Sequence, residues 1–150
     1  MIVVHDGQSS TLRHIAEVWA CEQQGGQFGL SADVEIHLRD LQNLIDGPNS
    51  DLLVAHRDDQ PVGYLGLISF ASPIGSQQIA NEHCWYVLPE YRARVGVRLL
   101  RAARRWARKH GCTHLLLNAS RLASGKHDEI CRLYKAIGAR HFETTYIMEI

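Results

Sequence analysis

Several common chemistries have no foothold in this chain of 150 residues. Cys21, Cys84, Cys112 and Cys131 are scattered without a CxxC spacing, which argues against a zinc ribbon and a dense disulfide framework. Reduced, mostly buried thiols are expected. The nine histidines include no HExxH or other tight ligand spacing, so no metal is expected. Ser120 sits at a strand end without a nucleophile elbow or an identifiable His and Asp partner, which leaves a serine hydrolase unsupported. No apolar run approaches the roughly 20 residues of a membrane span, and the N-terminus lacks the pattern of a signal peptide. The expected location is cytoplasmic. Sixteen basic residues cancel sixteen acidic ones, so no whole-protein field draws nucleic acid or an anionic membrane.

What is present suits one core: 45% of residues are apolar, and residues 1–150 read as a single domain without repeats or linkers. IVVH near the start is a strand candidate. Ser9 or Ser10 is placed to cap a helix through Leu12, Ile15, Ala16 and Trp19, which Gln24 to Gly29 interrupts. A second helix is expected over 32–45, stopped by Gly47-Pro48. Residues 51–72 read as an antiparallel hairpin about Asp58-Asp59-Gln60. A strand over 78–87, a helix over 96–110, a strand over 113–118, a helix over 128–137 and a last strand over 145–149 complete the pattern. Strands first and alternating units later indicate an α/β or α+β domain with a mixed sheet.

The stretch 86–109, YVLPEYRARVGVRLLRAARRWARK, carries the most information. Leu99, Leu100, Ala103, Trp106 and Ala107 form an apolar stripe, and Arg101, Arg104, Arg105 and Arg108 lie on the opposite, solvated face. Arg92, Arg94 and Arg98 differ by position. They fall at or before the expected helix start, where a cation opposes the dipole unless an anion is bound. Free N–H groups at such a start meet a phosphate directly.

Together with HLLLNAS and LYKAIGA further on, this stretch resembles the GNAT superfamily of acyl-CoA-dependent N-acetyltransferases over roughly residues 50–142. The family's phosphate motif is Arg or Gln, two residues, Gly, one residue, Gly or Ala. Counted from Arg92, its glycine places hold Val95 and Val97, with Gly96 between them. The resemblance implies a mixed, mostly antiparallel twisted sheet flanked by about four helices. It implies acetyl-CoA as cosubstrate, with its diphosphate near Arg92, Arg94, Val95, Gly96, Val97 and Arg98. The acetyl and pantetheine groups would meet backbone at Tyr86 and Val87, and Asn118 either contacts the cosubstrate or serves a turn. Tyr134 of LYKAIGA would protonate the departing thiolate.

Transfer to an amine needs a neutral nucleophile, and a carboxylate is a common base for it. Glu82 is the leading candidate, His83 the competitor pointing to the opposite face, and water or another group the third option. The implied function is transfer of acetyl from acetyl-CoA to a primary amine of a small molecule or peptide, with no membrane partner. A homodimer is compatible with it. The rival readings are a catalytically silent acyl-CoA-binding module and an RNA-binding acetyltransferase acting on aminoacyl-tRNA, against which the neutral charge counts.

Overall fold

Adjacent residues of one strand reach two different helix layers, and this sets the architecture. A computed structural model describes residues 1–122 and 126–150. Its strands are β1 (Ile2–Val4), β2 (Ser50–Arg57), β3 (Gln60–Ala71), β4 (Gln78–Val87) and β5 (Cys112–Leu116). Its helices are α1 (Arg13–Glu22), α2 (Val34–Asp46), α3 (Arg92–Lys109) and α4 (His127–Ala136), with short 3-10 turns at Ser9–Leu12, Gly25–Phe28 and Pro89–Tyr91. Ser50 Oγ donates to Leu44 O of α2 at 2.9 Å, whereas the next residue, Asp51, accepts from Trp106 Nε1 of α3 at 2.6 Å. Because strand side chains alternate, α2 and α3 cover opposite faces of the sheet.

The described strands form one sheet in the order β1-β2-β3-β4-β5. Every neighbouring pair is antiparallel except β4 and β5, so the sheet is mixed and mostly antiparallel, as expected. Asp58 and Asp59 both take positive φ, 49° and 60°, in a two-residue turn between Arg57 and Gln60. That geometry matches strand twist, and aspartate tolerates it better than most side chains. Asp33 caps α2 by accepting from Ile36 N at 3.0 Å. Leu12, Ile15, Leu41, Leu52, Leu65, Leu67 and Leu99 are fully buried and fill the two layers between sheet and helices.

Four expectations need correction. Neither Ser9 nor Ser10 caps α1, which opens out of a 3-10 turn with Leu12 at its cap. Helix α3 begins at Arg92 rather than 96, because the Pro89–Tyr91 turn winds directly into it and Arg92 N–H bonds Pro89 O. Residues 145–149 form no strand; Tyr146 and Met148 are 89% and 84% exposed. Of the four cysteines Cys112 is buried, Cys84 and Cys131 are half-buried and Cys21 is exposed.

Candidate active site

Strand β5 pairs with β4 only from Gln78 to Asn81, after which β4 runs on to Val87 with no strand on that side. The two strands therefore fork. Asn118 fills the crotch: its Nδ2 donates to Asn81 Oδ1 at 3.3 Å and to Glu82 O. Its amide donors are thus spent on the protein.

The free edge of β4 is defined by its pairing with β3. Val87 faces Gly63, and Leu88 N donates to Val62 O at 3.0 Å. That places Gly63 and Val87 in a non-hydrogen-bonded pair, so Val87 and, two residues earlier, Trp85 turn N–H and C=O outwards into the fork. Tyr86 opposes Tyr64 and directs its backbone groups into the sheet. The expected backbone edge of Tyr86 and Val87 is therefore one of Trp85 and Val87.

A bulge on β4 arranges the side chains. Gly66 opposes Cys84 and Leu67 opposes Glu82, which leaves His83 as the extra residue and shifts the alternation. Glu82 and Trp85 consequently share the face of α3 and α4, while Tyr86 faces α1 and His83 reaches Asp40 of α2, Nε2 to Oδ2 2.9 Å. The two candidate bases do point to opposite faces.

Glu82 and Tyr134, reached separately from the sequence, meet here. Tyr134 Oη donates to Glu82 Oε2 at 2.7 Å and lies 3.3 Å from Asn118 O. Glu82 is 4% exposed, and burial pushes its carboxyl up to about 7 against the pull of the Tyr134 hydrogen bond. Burial and the neighbouring Glu82 charge make the Tyr134 hydroxyl harder to ionise than usual. The Trp85 ring stacks against Tyr134 at 6.2 Å, and its Nε1 is buried without a hydrogen-bond partner among the described residues.

The start of α3 lies off the end of β4. Arg92 Nε donates to Val87 O at 3.1 Å, its Nη2 donates to Glu22, and its guanidinium lies 5.5 Å from the Tyr86 ring centroid. The anion that offsets Arg92 is thus Glu22, a partner from α1 that sequence spacing gives no means of finding. Arg94 and Arg98 are exposed and make no ion pair among the described residues. Val95 packs on the core. Gly96 is buried in the second turn, where a Cβ would meet Trp85 Cζ2 at 3.0 Å. Its lack of a side chain lets the helix seat on β4 rather than admitting a ligand. The N–H groups of Ala93 and Arg94, in the first turn, are those a helix leaves without internal partners. Trp85 was missed because the bulge that turns it to this face has no sequence signature.

Residues 15–139 match the model of the acetyltransferase (GNAT) family. Over 76 residues the chain is 34% identical to aminoglycoside N(6')-acetyltransferase type 1 of Klebsiella aerogenes, covering 49% of this chain and 50% of that protein. The match thus spans about half the length of that curated relative. The whole chain also superposes on ribosomal-protein-alanine N-acetyltransferase from Brucella melitensis, with a TM-score of 0.74, 16% identity and 99% of that chain covered. It superposes equally on AAC(6')-Iy in complex with a CoA bisubstrate analogue, with a TM-score of 0.74, 17% identity and 97% covered. At such identities these likenesses speak for the fold. With the family pattern running through residues 15–139 and the forked mixed sheet in place, the chain belongs to the GNAT acetyltransferase family.

Proposed function

We propose that this protein is an N-acetyltransferase that moves the acetyl group of acetyl-CoA directly to a primary amine. The observation that carries the reading is the buried Glu82–Tyr134 hydrogen bond beside the fork. The surrounding groups fit the cosubstrate. The outward N–H groups of Trp85 and Val87 and the C=O of Trp85 suit the amides of a pantetheine arm lying along the strand edge, the C=O of Val87 being held by Arg92 Nε. The unpartnered Trp85 Nε1 is a buried donor that a ligand carbonyl would satisfy. The first-turn N–H groups of α3, with Arg94 and Arg98, suit its diphosphate. Acetyl-CoA supplies an activated thioester whose sulfur leaves as a thiolate.

An ammonium acceptor first loses one proton, relayed by Glu82 to solvent, and the attacking nitrogen then gives up a second that ends on sulfur. Glu82, ionised above about pH 7, takes the amine proton directly or through one water. Tyr134 gives its hydroxyl proton towards the sulfur and is refilled from Glu82 across their hydrogen bond. The proton circuit then closes within the pair. His83, held by Asp40 on the other face, is less suited to this task.

Similarity to an aminoglycoside acetyltransferase makes amino sugars the first acceptors to try. The test is a thiol-release screen with acetyl-CoA against amino sugars, polyamines, amino acids and peptides, with the product identified by mass. Release with an acetylated amine as product supports the proposal. If acetyl-CoA raises the melting temperature but no acceptor releases thiol, the protein is a silent acyl-CoA-binding module. Saturation at about 100 times Kd would stabilise it by about 2.7 kcal/mol. Steeply salt-dependent RNA binding would favour the aminoacyl-tRNA reading.

A further inference from the structure

At the mouth of the fork stands a carboxylate that the proton pair does not use. Glu22, the last residue of α1, accepts from Tyr86 Oη at 2.5 Å and from Arg92 Nη2, and both contacts fall on Oε2. Oε1 has no hydrogen-bond partner among the described residues, and the side chain keeps 26% of its surface open. Through Tyr86 and Arg92 the carboxylate is tied to the end of β4, where Arg92 also holds Val87 O on the free edge. Two residues on, Gln24 N donates to Leu122 O at 2.9 Å, so the chain leaving α1 crosses to the segment after β5. Glu22 thus stands on the α1 face beside the end of β4, and the Glu82–Tyr134 pair stands on the opposite face beside the fork. Burial works to raise the Glu22 carboxyl, but the Tyr86 and Arg92 hydrogen bonds outweigh it and hold it below its ordinary value.

We infer that Glu22 Oε1 receives a second, non-reacting ammonium group of the acceptor, so that the acceptor class is compounds with at least two amino groups: diamines, polyamines and amino sugars. The inference rests on the reading of this protein as an amine acetyltransferase. A reacting amine must be neutral, whereas an ionised carboxylate with one open oxygen favours an amine that stays charged. A monoamine cannot meet both demands at once. Charge balance makes this depend on the cosubstrate. Arg92 already faces Glu22, with Lys126 also close enough to act on it, so an added ammonium is favoured once another anion shares Arg92. The diphosphate proposed for the start of α3 is such an anion. Acetyl-CoA should therefore tighten the binding of a diamine more than that of a monoamine.

The test compares kcat/KM for putrescine and for butylamine at saturating acetyl-CoA, in wild type, Glu22→Gln and Glu22→Asp. In wild type the diamine should lead by roughly tenfold to a hundredfold, the range of a hydrogen bond to a charged group. In Glu22→Gln the ratio should fall towards one, and Glu22→Asp should recover part of it. A purely structural Glu22 would lower both rates and leave the ratio alone. A wild-type ratio near one, or a ratio that survives Glu22→Gln, overturns the inference while thiol release keeps the broader reading standing. Absence of thiol release from every amine overturns both. Should Glu22→Gln fail to fold, the wild-type ratio and that of Glu22→Asp decide.

Discussion

Tyr134 and Glu82 share a hydrogen bond, so on the proton path proposed above each substitution should carry a different pH signature. Tyr134→Phe removes the donor to the thiolate and should lower kcat by about 10²- to 10⁴-fold with little change in acetyl-CoA affinity. It also removes the hydrogen bond that pulls the Glu82 carboxyl down, so the remaining activity should rise with pH through a midpoint above that of wild type, which lies at about 7. Glu82→Gln should lose rate most at low pH, and the deficit should shrink as the amine becomes neutral by itself. His83→Gln should keep the wild-type profile. Initial rates over pH with one confirmed acceptor check all three. The sequence singles out both residues as candidates because LYKAIGA and the run before Val87 stand in the order the family resemblance implies. Their direct contact was not legible there, since it depends on a strand and a helix that are 52 positions apart.

At the scale of elements, helix α3 shows where pattern reading stopped. The apolar stripe through Leu99, Ala103 and Trp106 marks the helix body, but the Pro89–Tyr91 turn carries helical winding back to Arg92. Gly96 is therefore a packing residue. Gly96→Ala gains up to about 1 kcal/mol of helix propensity and meets Trp85 at 3.0 Å, a ring already fixed by Tyr134. The expected net effect is a loss on the order of 1 kcal/mol, and Gly96→Glu should lose more than about 2 kcal/mol, both read from urea midpoints. Arg94→Glu separates binding from folding. An acid in the first turn suits the helix dipole, so the apo melting temperature should hold or rise slightly while acetyl-CoA affinity falls. Unchanged affinity would move the diphosphate away from this turn. The expected strand at 145–149 has the residues for a strand but pairs with neither edge of the sheet, a fact only the assembled sheet reveals. Composition and periodicity do not show the fork, because it is an absence of pairing between strands of sound sequence, and only the family resemblance implies a strand end that splays from its neighbour.

For the molecule as a whole, two buried groups govern how stability follows pH. Glu82, raised from an ordinary 4.5 to about 7, contributes stability that is complete below 4.5 and lost as pH rises to about 7. His37, buried, hydrogen-bonded through Nε2 to Tyr64 Oη at 2.6 Å and stacked on Trp19 at 3.8 Å, is lowered from an ordinary 6.5 to about 4 by its burial. Its contribution is complete above 6.5 and lost as pH falls to about 4. Each effect amounts to roughly 3 kcal/mol at most. Between pH 4.5 and 6.5 the two slopes oppose, and the unfolding free energy from urea titrations should be nearly flat. Glu82→Gln should uncover a rise with pH across that interval, and His37→Gln a fall. A steep wild-type curve with no change of slope in either variant would contradict the assignment. Burial sets both arms of this proton balance, on the two faces of the sheet, and the Tyr134 hydrogen bond works against the Glu82 arm. A level curve would then record two counterweights of opposite sign, and Tyr134→Phe, by letting the Glu82 carboxyl rise further, should tip it towards a fall with pH.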